Sequence, residues 1–228
     1  MPDAADILTG HWADLLGGAA YLVITIGYYI VFARGMRIRP QAYIQGRMNR
    51  YRHRWIRLIF KHRDGILAVQ TFRNQLMSSS FLASTAILVD IGLLTLLGLP
   101  RENTSFLHGG AGDPAGGFWL TVNVVILIGL YSYNFFNFAL CVRDLNYLGY
   151  LAGLYGTDDP DERESLISHL ESLLDRVAMN YTRGLRGYFF GLPLFFWLLS
   201  PYLMLATLLI VLGLLYMRDH ALHNLPGR

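Results

Sequence analysis

The sequence has little charge and almost no cysteine. Only 15% of its residues are charged and 54% are hydrophobic, with a mean hydropathy of +0.35. Soluble domains carry about a quarter charged residues, so this composition excludes an ordinary soluble domain. Cys141 is the single cysteine, which excludes an intrachain disulfide and a cysteine zinc cluster.

Motifs of several enzyme and cofactor classes are also absent. The chain has no P-loop, no dinucleotide GxGxxG after a strand and no GxSxG elbow. The seven histidines are scattered, with no pair four residues apart beside a carboxylate, and this disfavours a metal site. We therefore predict no catalytic residues, no metal and no cofactor, and we rank an enzyme third among the function classes.

What the chain does have is four long apolar blocks. They cover about residues 16–32, 77–99, 118–142 and 194–216. Each is close to the ~20 residues that a helix needs to cross a ~30 Å hydrocarbon core. No Lys or Arg precedes the first block, so it lacks the basic region of a cleaved signal peptide and should remain as a transmembrane helix. The pattern predicts one integral membrane domain over residues 1–228, an all-α four-helix transmembrane bundle.

Positive charge is concentrated after the first block and predicts the orientation. Of the 19 Lys plus Arg residues, 11 lie between Arg34 and Arg73. The positive-inside rule then makes residues 34–75 and 143–192 cytoplasmic. Alternating crossings put the N-terminus, the loop from Pro100 to Gly117 and the C-terminus outside, in what we expect to be a bacterial inner membrane. A broken fourth helix that returns the C-terminus inside stays open as an alternative.

The second and third blocks hold the polar residues of most interest. Asp90 lies near mid-membrane, where an ionisable group is costly and commonly functional; a structural Asp90, protonated and hydrogen-bonded between helices, is the alternative. Tyr131 is at similar depth and is an example of a hydroxyl partner that could bond it. Asn123, Asn134 and Asn137 recur near one face of the third block. Such amides usually bond a neighbouring helix, and the alternative is that they line a hydrated path.

The second block begins with a polar turn in which Gln70, Arg73 and Asn74 lie nearly on one face. Arg73 could bind a lipid phosphate or an entering anion. We favour instead a structural ion pair between Arg73 and an acid of the second cytoplasmic segment, for instance Asp144. In the fourth block, Pro201 should kink the helix because it lacks an amide hydrogen.

Each cytoplasmic segment contains an amphipathic helix. The first, from Pro40 onward, is basic and contributes Arg50, Arg54, Trp55 and Arg57 as candidate lipid contacts. It could lie on anionic lipid headgroups at ~1 kcal/mol per basic residue, or pack its apolar stripe on another helix; nucleic-acid binding is a poor third interpretation. The second begins at Asp159, a predicted N-cap, and is rich in acids. The opposite charges predict that the two helices pack together.

Several separated runs carry a resemblance to a known family. The run ILAVQTFRNQLMSSSFLASTAI is preceded by RHRWIRLIF and followed by FFNFALCVRDLNYL and RGYFFGLPLFFWLLSP. In this order they resemble the domain-of-unknown-function family numbered 599, multi-pass membrane proteins of bacteria and plants. The matching residues are Gln70, Arg73, Asn74, Arg143, Asn146, Pro193, Trp197 and Pro201. The resemblance implies a multi-pass membrane protein and supplies no reaction, substrate or ligand.

Two function classes follow from these patterns. The first is a channel or transporter for ions or a small solute, motivated by Asp90, and it implies a homo-oligomer because four helices make a thin wall for a pore. The second is a non-catalytic membrane adaptor whose cytoplasmic helices bind lipid or a protein partner. The sequence places permeation narrowly first.

Overall fold

The computed structural model describes residues 12–62, 64–100, 107, 114–153 and 159–220. The predictions for the N-terminal tail, for most of the loop from Pro100 to Gly117 and for the C-terminal tail fall on residues outside these ranges. Every secondary-structure element in the described ranges is helical. The predicted all-α class is therefore confirmed for the part of the chain that the structure describes.

The described elements are six α-helices and one short 3-10 turn. They are α1 (Trp12–Ile38), the turn Pro40–Ala42, α2 (Ile44–His62), α3 (Gly65–Gly98), α4 (Pro114–Ala152), α5 (Pro160–Trp197) and α6 (Pro201–His220). By length and composition, α1, α3, α4 and α6 are candidate membrane spans. Their number, four, equals the number of spans that we predicted from the sequence.

Acidic side chains cap two of the helices where the sequence changes from loop to helix. The Asp159 carboxylate accepts a hydrogen bond from the backbone N of Asp161 at 3.0 Å, and Pro160 occupies the first helical position. Asp64 does the same for α3 by accepting from the backbone N of Leu67 at 3.3 Å. Both bonds satisfy amides that have no partner inside the helix. The predicted cap at Asp159 is confirmed.

The fourth apolar block is not one helix. We predicted a span over 194–216 with a kink at Pro201, but α5 ends at Trp197 and a separate helix begins at Pro201. Proline cannot donate the hydrogen bond that would continue α5, and it is well suited to the first position of a new helix. The candidate span is therefore Pro201–Asp219, and the last apolar turns before it belong to α5.

Because of this break, α6 reverses direction and runs back along α5. The side chain of Arg186, which lies in α5, bonds Asp219 near the end of α6 at 3.0 Å. Tyr28, in the second half of α1, bonds the same carboxylate at 2.9 Å, and Arg218 lines a cavity together with Ile44 at the start of α2. The described end of α6 therefore lies at the end of the bundle where α2 begins. The second half of α5 adds one more pass along the bundle, as in the broken fourth helix that we left open as an alternative to a continuous one.

The centre of the bundle is formed by α4 and α5. In α3, small residues such as Ser79, Ala83 and Ala86 face the bundle, while Phe81 and Leu88 are about 70% exposed. The second half of α5 contacts α1 through Tyr21, α3 through Leu82 and α4 through Asn123. These contacts surround α5 and leave α3 at the edge.

A row of glycines on α5 allows its close approach to α4. Phe138, Asn134 and Tyr131 of α4 lie directly over Gly184, Gly187 and Gly191. A Cβ at Gly184 would lie 2.6 Å from the Phe138 ring, and one at Gly191 would lie 2.9 Å from the Tyr131 ring. Small residues commonly permit such helix contacts in membranes, where apolar burial alone provides little drive. The groove therefore fixes the register of α4 on α5.

Apolar residues form a separate hydrophobic core where the helices extend beyond the length needed to span the membrane. With 34 to 39 residues, helices α3, α4 and α5 are roughly 50–60 Å long, against a ~30 Å hydrocarbon core. Their extensions and α2 enclose a cluster that includes Ile56, Phe60, Phe72, Leu145, Leu148, Leu170 and Leu174. We call this part, made of α2 and residues 65–75, 141–152 and 160–181, the charged bundle.

Ion pairs join α2 to the first half of α5, as the opposite charges of the two segments predicted. Arg57 bonds Glu171 at 2.7 Å and Glu164 at 3.1 Å, and His53 contacts Asp175 at 3.0 Å. Ile56, Ile59 and Phe60 bury the apolar face of α2 in the same interface. Of the two arrangements that we left open for this helix, the structure has the one in which it packs on another helix.

The reversal at Pro201 can be tested by labelling single cysteines in a Cys141→Ala background with a membrane-impermeant thiol reagent. Arg50→Cys and Arg218→Cys should react in the same way in intact cells, and Leu99→Cys should react in the opposite way, because residues 50 and 218 share one end of the bundle. Permeabilised cells, in which all three should react, provide the control. Reaction of position 218 together with 99 would show that α6 does not return.

Candidate functional site

Asp90 is buried between α3 and α4, with 7% of its surface exposed. Ser132 donates a hydrogen bond to its Oδ2 at 2.9 Å, and Oδ1 has no hydrogen-bond partner among the described residues. Our expected partner, Tyr131, packs instead against Tyr188 and Phe195, with ring centroids 5.2 and 5.7 Å away. Successive residues of a helix point about 100° apart, so Ser132 faces α3 while Tyr131 faces α5.

The amides of α4 have separate surroundings. Asn123 donates to the Leu194 carbonyl at 3.2 Å, which lies in the last turn of α5 where carbonyls lose their helical partners. Asn137 donates to the Tyr133 carbonyl of its own helix at 2.8 Å. Asn134 is fully buried over Gly187, and neither of its side-chain polar atoms has a partner in the described residues. The predicted bond to a neighbouring helix is therefore present for Asn123, whereas Asn137 bonds its own helix.

The polar residues at the start of α3 and the end of α4 do not form one site. Gln70, Arg73 and Asn74 are exposed, as are Arg143 and Asn146. Asp144 is buried and lies 3.5 Å from Arg143 and 3.9 Å from Arg176. The expected pair between Arg73 and Asp144 is therefore wrong: the cations beside Asp144 come from its own helix and from α5.

The four candidate lipid contacts of α2 also have different surroundings. Arg50 and Arg54 are exposed, whereas Trp55 is half-buried against Phe72 with ring centroids 5.9 Å apart. Arg57 is held by Glu171 and Glu164, and these hydrogen bonds raise the pKa of its guanidinium. Of the four, Arg50 and Arg54 remain as exposed cations with no acidic partner in the described part of the chain.

The charged bundle contains a cavity of about 380 Å³, which we call the large cavity. Its walls come from α2, α3, α4 and α5. Most of the lining is apolar, with Met48, Trp55, Phe72, Leu174, Val177 and Ala178, and the polar groups are few, with Arg52, Gln75 and Thr182 among them. Tyr51 and Thr71 also line it and are exposed, so it reaches the surface between α2 and α3. This size and lining are typical of a site for a small, largely apolar ligand.

A second cavity of about 200 Å³, the small cavity, lies where α2 meets α5 and α6. It shares Met48, Arg52, Tyr181 and Thr182 with the large cavity. Its remaining lining includes Phe189, Leu215 and two arginines, Arg186 and Arg218. The two cavities are therefore adjacent, and Arg52 lies at their common boundary.

Arg52 is an unusual residue in this lining because its charge is partly removed from water. Burial lowers the pKa of its guanidinium, although nearby Asp175 opposes that effect. Its Nη1 donates to Asn49 at 2.7 Å. An arginine in such surroundings retains further donors for an acceptor in either cavity. The amphipathic pattern could have found it, because position 52 is one turn from Ile56 on the buried face.

Next to the small cavity, Arg186 forms a buried cluster with Asp219, Tyr28 and Phe32, which we call the arginine clasp. Only 5% of Arg186 and 6% of Asp219 is exposed. The guanidinium carbon lies 3.5 Å from the centroid of the Phe32 ring, within the range of a cation–π contact. The clasp joins α1, α5 and α6, and it was missed because its members are distant in sequence. The sequence signal that could have found it is an arginine, Arg186, beside one apolar run together with an acid, Asp219, near the end of the next apolar run.

The chain offers no metal centre in the part that the structure describes. No group of three His, Cys, Asp or Glu side chains there is arranged to hold a metal ion. The cavities are instead lined by apolar groups, hydroxyls, amides and arginines. Such a lining suits an organic ligand or an anion.

The arginine clasp should dominate the stability of the α5–α6 reversal. Arg186→Met or Asp219→Leu alone should lower the free energy of unfolding by about 3–5 kcal/mol, because each leaves a buried charge without its partner. The double variant should be more stable than either single one, since it buries no unpaired charge. Thermal unfolding in one detergent is the measurement, and Arg183→Gln, an exposed arginine of the same helix, is the control. A double variant as unstable as the worse single one would contradict this role.

Comparison with known proteins places the chain in a family. A family model described as "Protein of unknown function, DUF599" matches residues 18–223, nearly the whole chain. The searches of curated proteins and of solved structures give no match. The match includes α2, both cavities and the arginine clasp. This chain is therefore a member of the DUF599 family of proteins of unknown function.

Proposed function

We propose that this chain is a non-catalytic membrane adaptor whose charged bundle binds a small amphiphilic ligand in the large cavity. The observation that carries the proposal is the cavity itself, about 380 Å³ with mostly apolar walls, in a part of the protein that extends beyond the membrane spans. Filling such a space with apolar groups would gain about 25 cal/mol for each Å² removed from water. The proposal places ligand binding, and no chemical step, in this site.

A ligand in this position would act on α2. One wall of the large cavity is α2, with Met48, Arg52 and Trp55, while the opposite wall is α5. The ion pairs that hold α2, such as Arg57 with Glu164, are about half exposed, and exposed pairs contribute only about 0–1 kcal/mol each. A ligand that contacts both walls would therefore add materially to the binding of α2 to the rest of the bundle.

The outer face of α2 is then the surface offered to a partner. Arg50 and Arg54 lie one helical turn apart and are exposed. In a cytoplasmic orientation, supported by the 11 basic residues between Arg34 and Arg73, these arginines would face anionic lipid headgroups or an acidic protein. We place the protein in a bacterial inner membrane with its N-terminus outside, on the same charge argument.

The proposal predicts that filling the large cavity abolishes ligand binding. Ala178→Phe introduces a ring into the cavity, whereas Ala206→Phe makes the same change at an exposed position of α6. Binding of labelled monolauroylglycerol to the chain in nanodiscs, with empty nanodiscs subtracted, should be saturable for the wild type. It should fall at least tenfold in affinity for Ala178→Phe and be unchanged for Ala206→Phe. Wild-type retention no greater than that of empty nanodiscs, both for this amphiphile and for its phosphate ester, would overturn the proposal.

Permeation stays as a second candidate because of Asp90. This buried carboxylate has one oxygen without a partner in the described residues, and polar groups in such surroundings are commonly functional in membranes. The pathway would form in a homo-oligomer, in which α3, exposed along one face, could meet a second copy.

The test of this candidate is Asp90→Asn, which keeps the shape of the neutral acid but cannot ionise. If Asp90 lies on a conduction path, the variant should assemble normally and lose proton or cation flux in proteoliposomes. Ser84→Ala, at an exposed position of the same helix, is the control. Wild-type pH-dependent flux in Asp90→Asn, or no flux in the wild type across several ions, would remove this candidate.

A further inference from the structure

The small cavity indicates which kind of ligand the adaptor binds, an inference that rests on the proposed function. We propose that the ligand is an amphiphilic phosphate: its apolar chain fills the large cavity, and its phosphate lies in the small cavity between Arg52 and Arg218. The large cavity alone would accept any apolar molecule of suitable size, so the choice depends on the charge and position of the groups next to it.

The small cavity has an excess of positive charge. Three arginines from three different helices, Arg52, Arg186 and Arg218, line it. Asp219 neutralises Arg186 through hydrogen bonds at 3.0 Å to both of its carboxylate oxygens. Arg218 forms no ion pair within the described part of the chain, and Arg52 bonds the neutral Asn49. Two guanidinium groups are therefore available to an anion.

A phosphate monoester matches this charge and these donors. At pH 7 such a group carries about −1.5 to −2 charges, close to the two that Arg52 and Arg218 supply. A guanidinium presents its N–H groups as a planar fork that fits two phosphate oxygens at once. Tyr181 and Thr182 line both cavities and add hydroxyl groups next to the same position.

The relative position of the two cavities gives the ligand its orientation. Along α5, the small cavity extends from Tyr181 to Phe189, and the large cavity extends from Leu174 to Thr182. The arginines therefore lie at the level where α6 ends, at the boundary of its candidate span. The apolar chain would point away from the membrane into the charged bundle, so a ligand that comes from the bilayer must leave it to bind.

The inference also explains why three helices meet at this place. Arg52 is supplied by α2, Thr182 by α5 and Arg218 by α6. A phosphate bonded by Arg52 and Arg218 would link α2 to α6, two elements whose direct contact is otherwise slight. The headgroup would thus connect α2 to the membrane-spanning α6, while the chain connects α2 to α5.

The test compares two amphiphiles that differ by a phosphate alone, monolauroylglycerol and monolauroylglycerol phosphate. Each is titrated onto the full chain in phosphatidylcholine nanodiscs, and retention by empty nanodiscs is subtracted. The phosphate-bearing amphiphile should bind the wild type at least tenfold more tightly. Arg218→Gln, at a residue that lines the small cavity but not the large one, should remove most of this difference and leave the affinity for the neutral amphiphile unchanged. Arg52→Gln should likewise remove most of the preference for the phosphate. The matched control Arg183→Gln, at an exposed arginine of α5 outside both cavities, should retain it.

The outcomes separate the two proposals. Equal affinity of the wild type for both amphiphiles would overturn the amphiphilic phosphate and leave the adaptor intact, whereas binding of neither would overturn both. A preference that survives in Arg52→Gln and Arg218→Gln, or that is lost equally in Arg183→Gln, would place the phosphate elsewhere and overturn the site. If the glutamine variants do not fold, Arg52→Lys and Arg218→Lys keep the charge without the fork and should reduce the preference several-fold.

Two further arms identify the source and the class of the anion. Inorganic phosphate at millimolar concentration should compete only weakly with the phosphate amphiphile, because it lacks the apolar chain. If inorganic phosphate displaced the amphiphile as strongly as the amphiphile itself does, the apolar chain would contribute nothing to binding, and the two-part site would be overturned. Laurate should bind less tightly than the phosphate amphiphile, because it carries a single charge. Laurate binding as tightly as the phosphate would overturn the assignment to phosphates.

Discussion

The close contact between α4 and α5 is the interaction on which the rest of the structure depends. Glycines of α5 let Phe138, Asn134 and Tyr131 of α4 approach its backbone, and this contact continues for most of the length of both helices. Within hydrocarbon, apolar surface is as well solvated by lipid as by protein, so close fit and interhelical hydrogen bonds must hold helices together. Once α4 and α5 are fixed, α3 packs on one side of the pair, and α1 and α6 pack on the other.

The length of α5 connects the two halves of the protein. Its second half lies among the apolar helices, where Phe190 and Leu194 are buried, and its first half is the scaffold of the charged bundle. Because a continuous helix cannot bend freely, the orientation of α2 on the first half is coupled to the position of α6 on the second. The small cavity lies at this junction, which is why a single ligand there could contact elements from both halves.

The polar groups of the two halves are satisfied in different ways. In the apolar half, bonds such as that from Tyr21 to the Phe190 carbonyl and from Asn123 to the Leu194 carbonyl provide partners for backbone oxygens that water cannot reach. In the charged half, ion pairs such as Arg57 with Glu171 determine which helix α2 packs against, but they contribute little to the free energy of that packing. The arginine clasp combines features of both halves: it is an ion pair, as in the charged half, and it is buried, as in the apolar half.

The sequence by itself determined that the chain is helical, that four of its helices are long and apolar, and that the basic segment pairs with the acidic one, because these depend on local periodicity, composition and net charge. It also identified Asp90 as buried. Only the tertiary structure decided that α6 reverses at Pro201, that Ser132 rather than Tyr131 bonds Asp90, and that Arg52, Arg186 and Arg218 line one cavity. A proline indicates that a helix is interrupted but not the angle that follows, and that angle depends on partners such as Tyr28 and Asp219, which are 191 residues apart. Cavities belong to the same class of property, since they are spaces between helices, and no single segment of sequence encodes them.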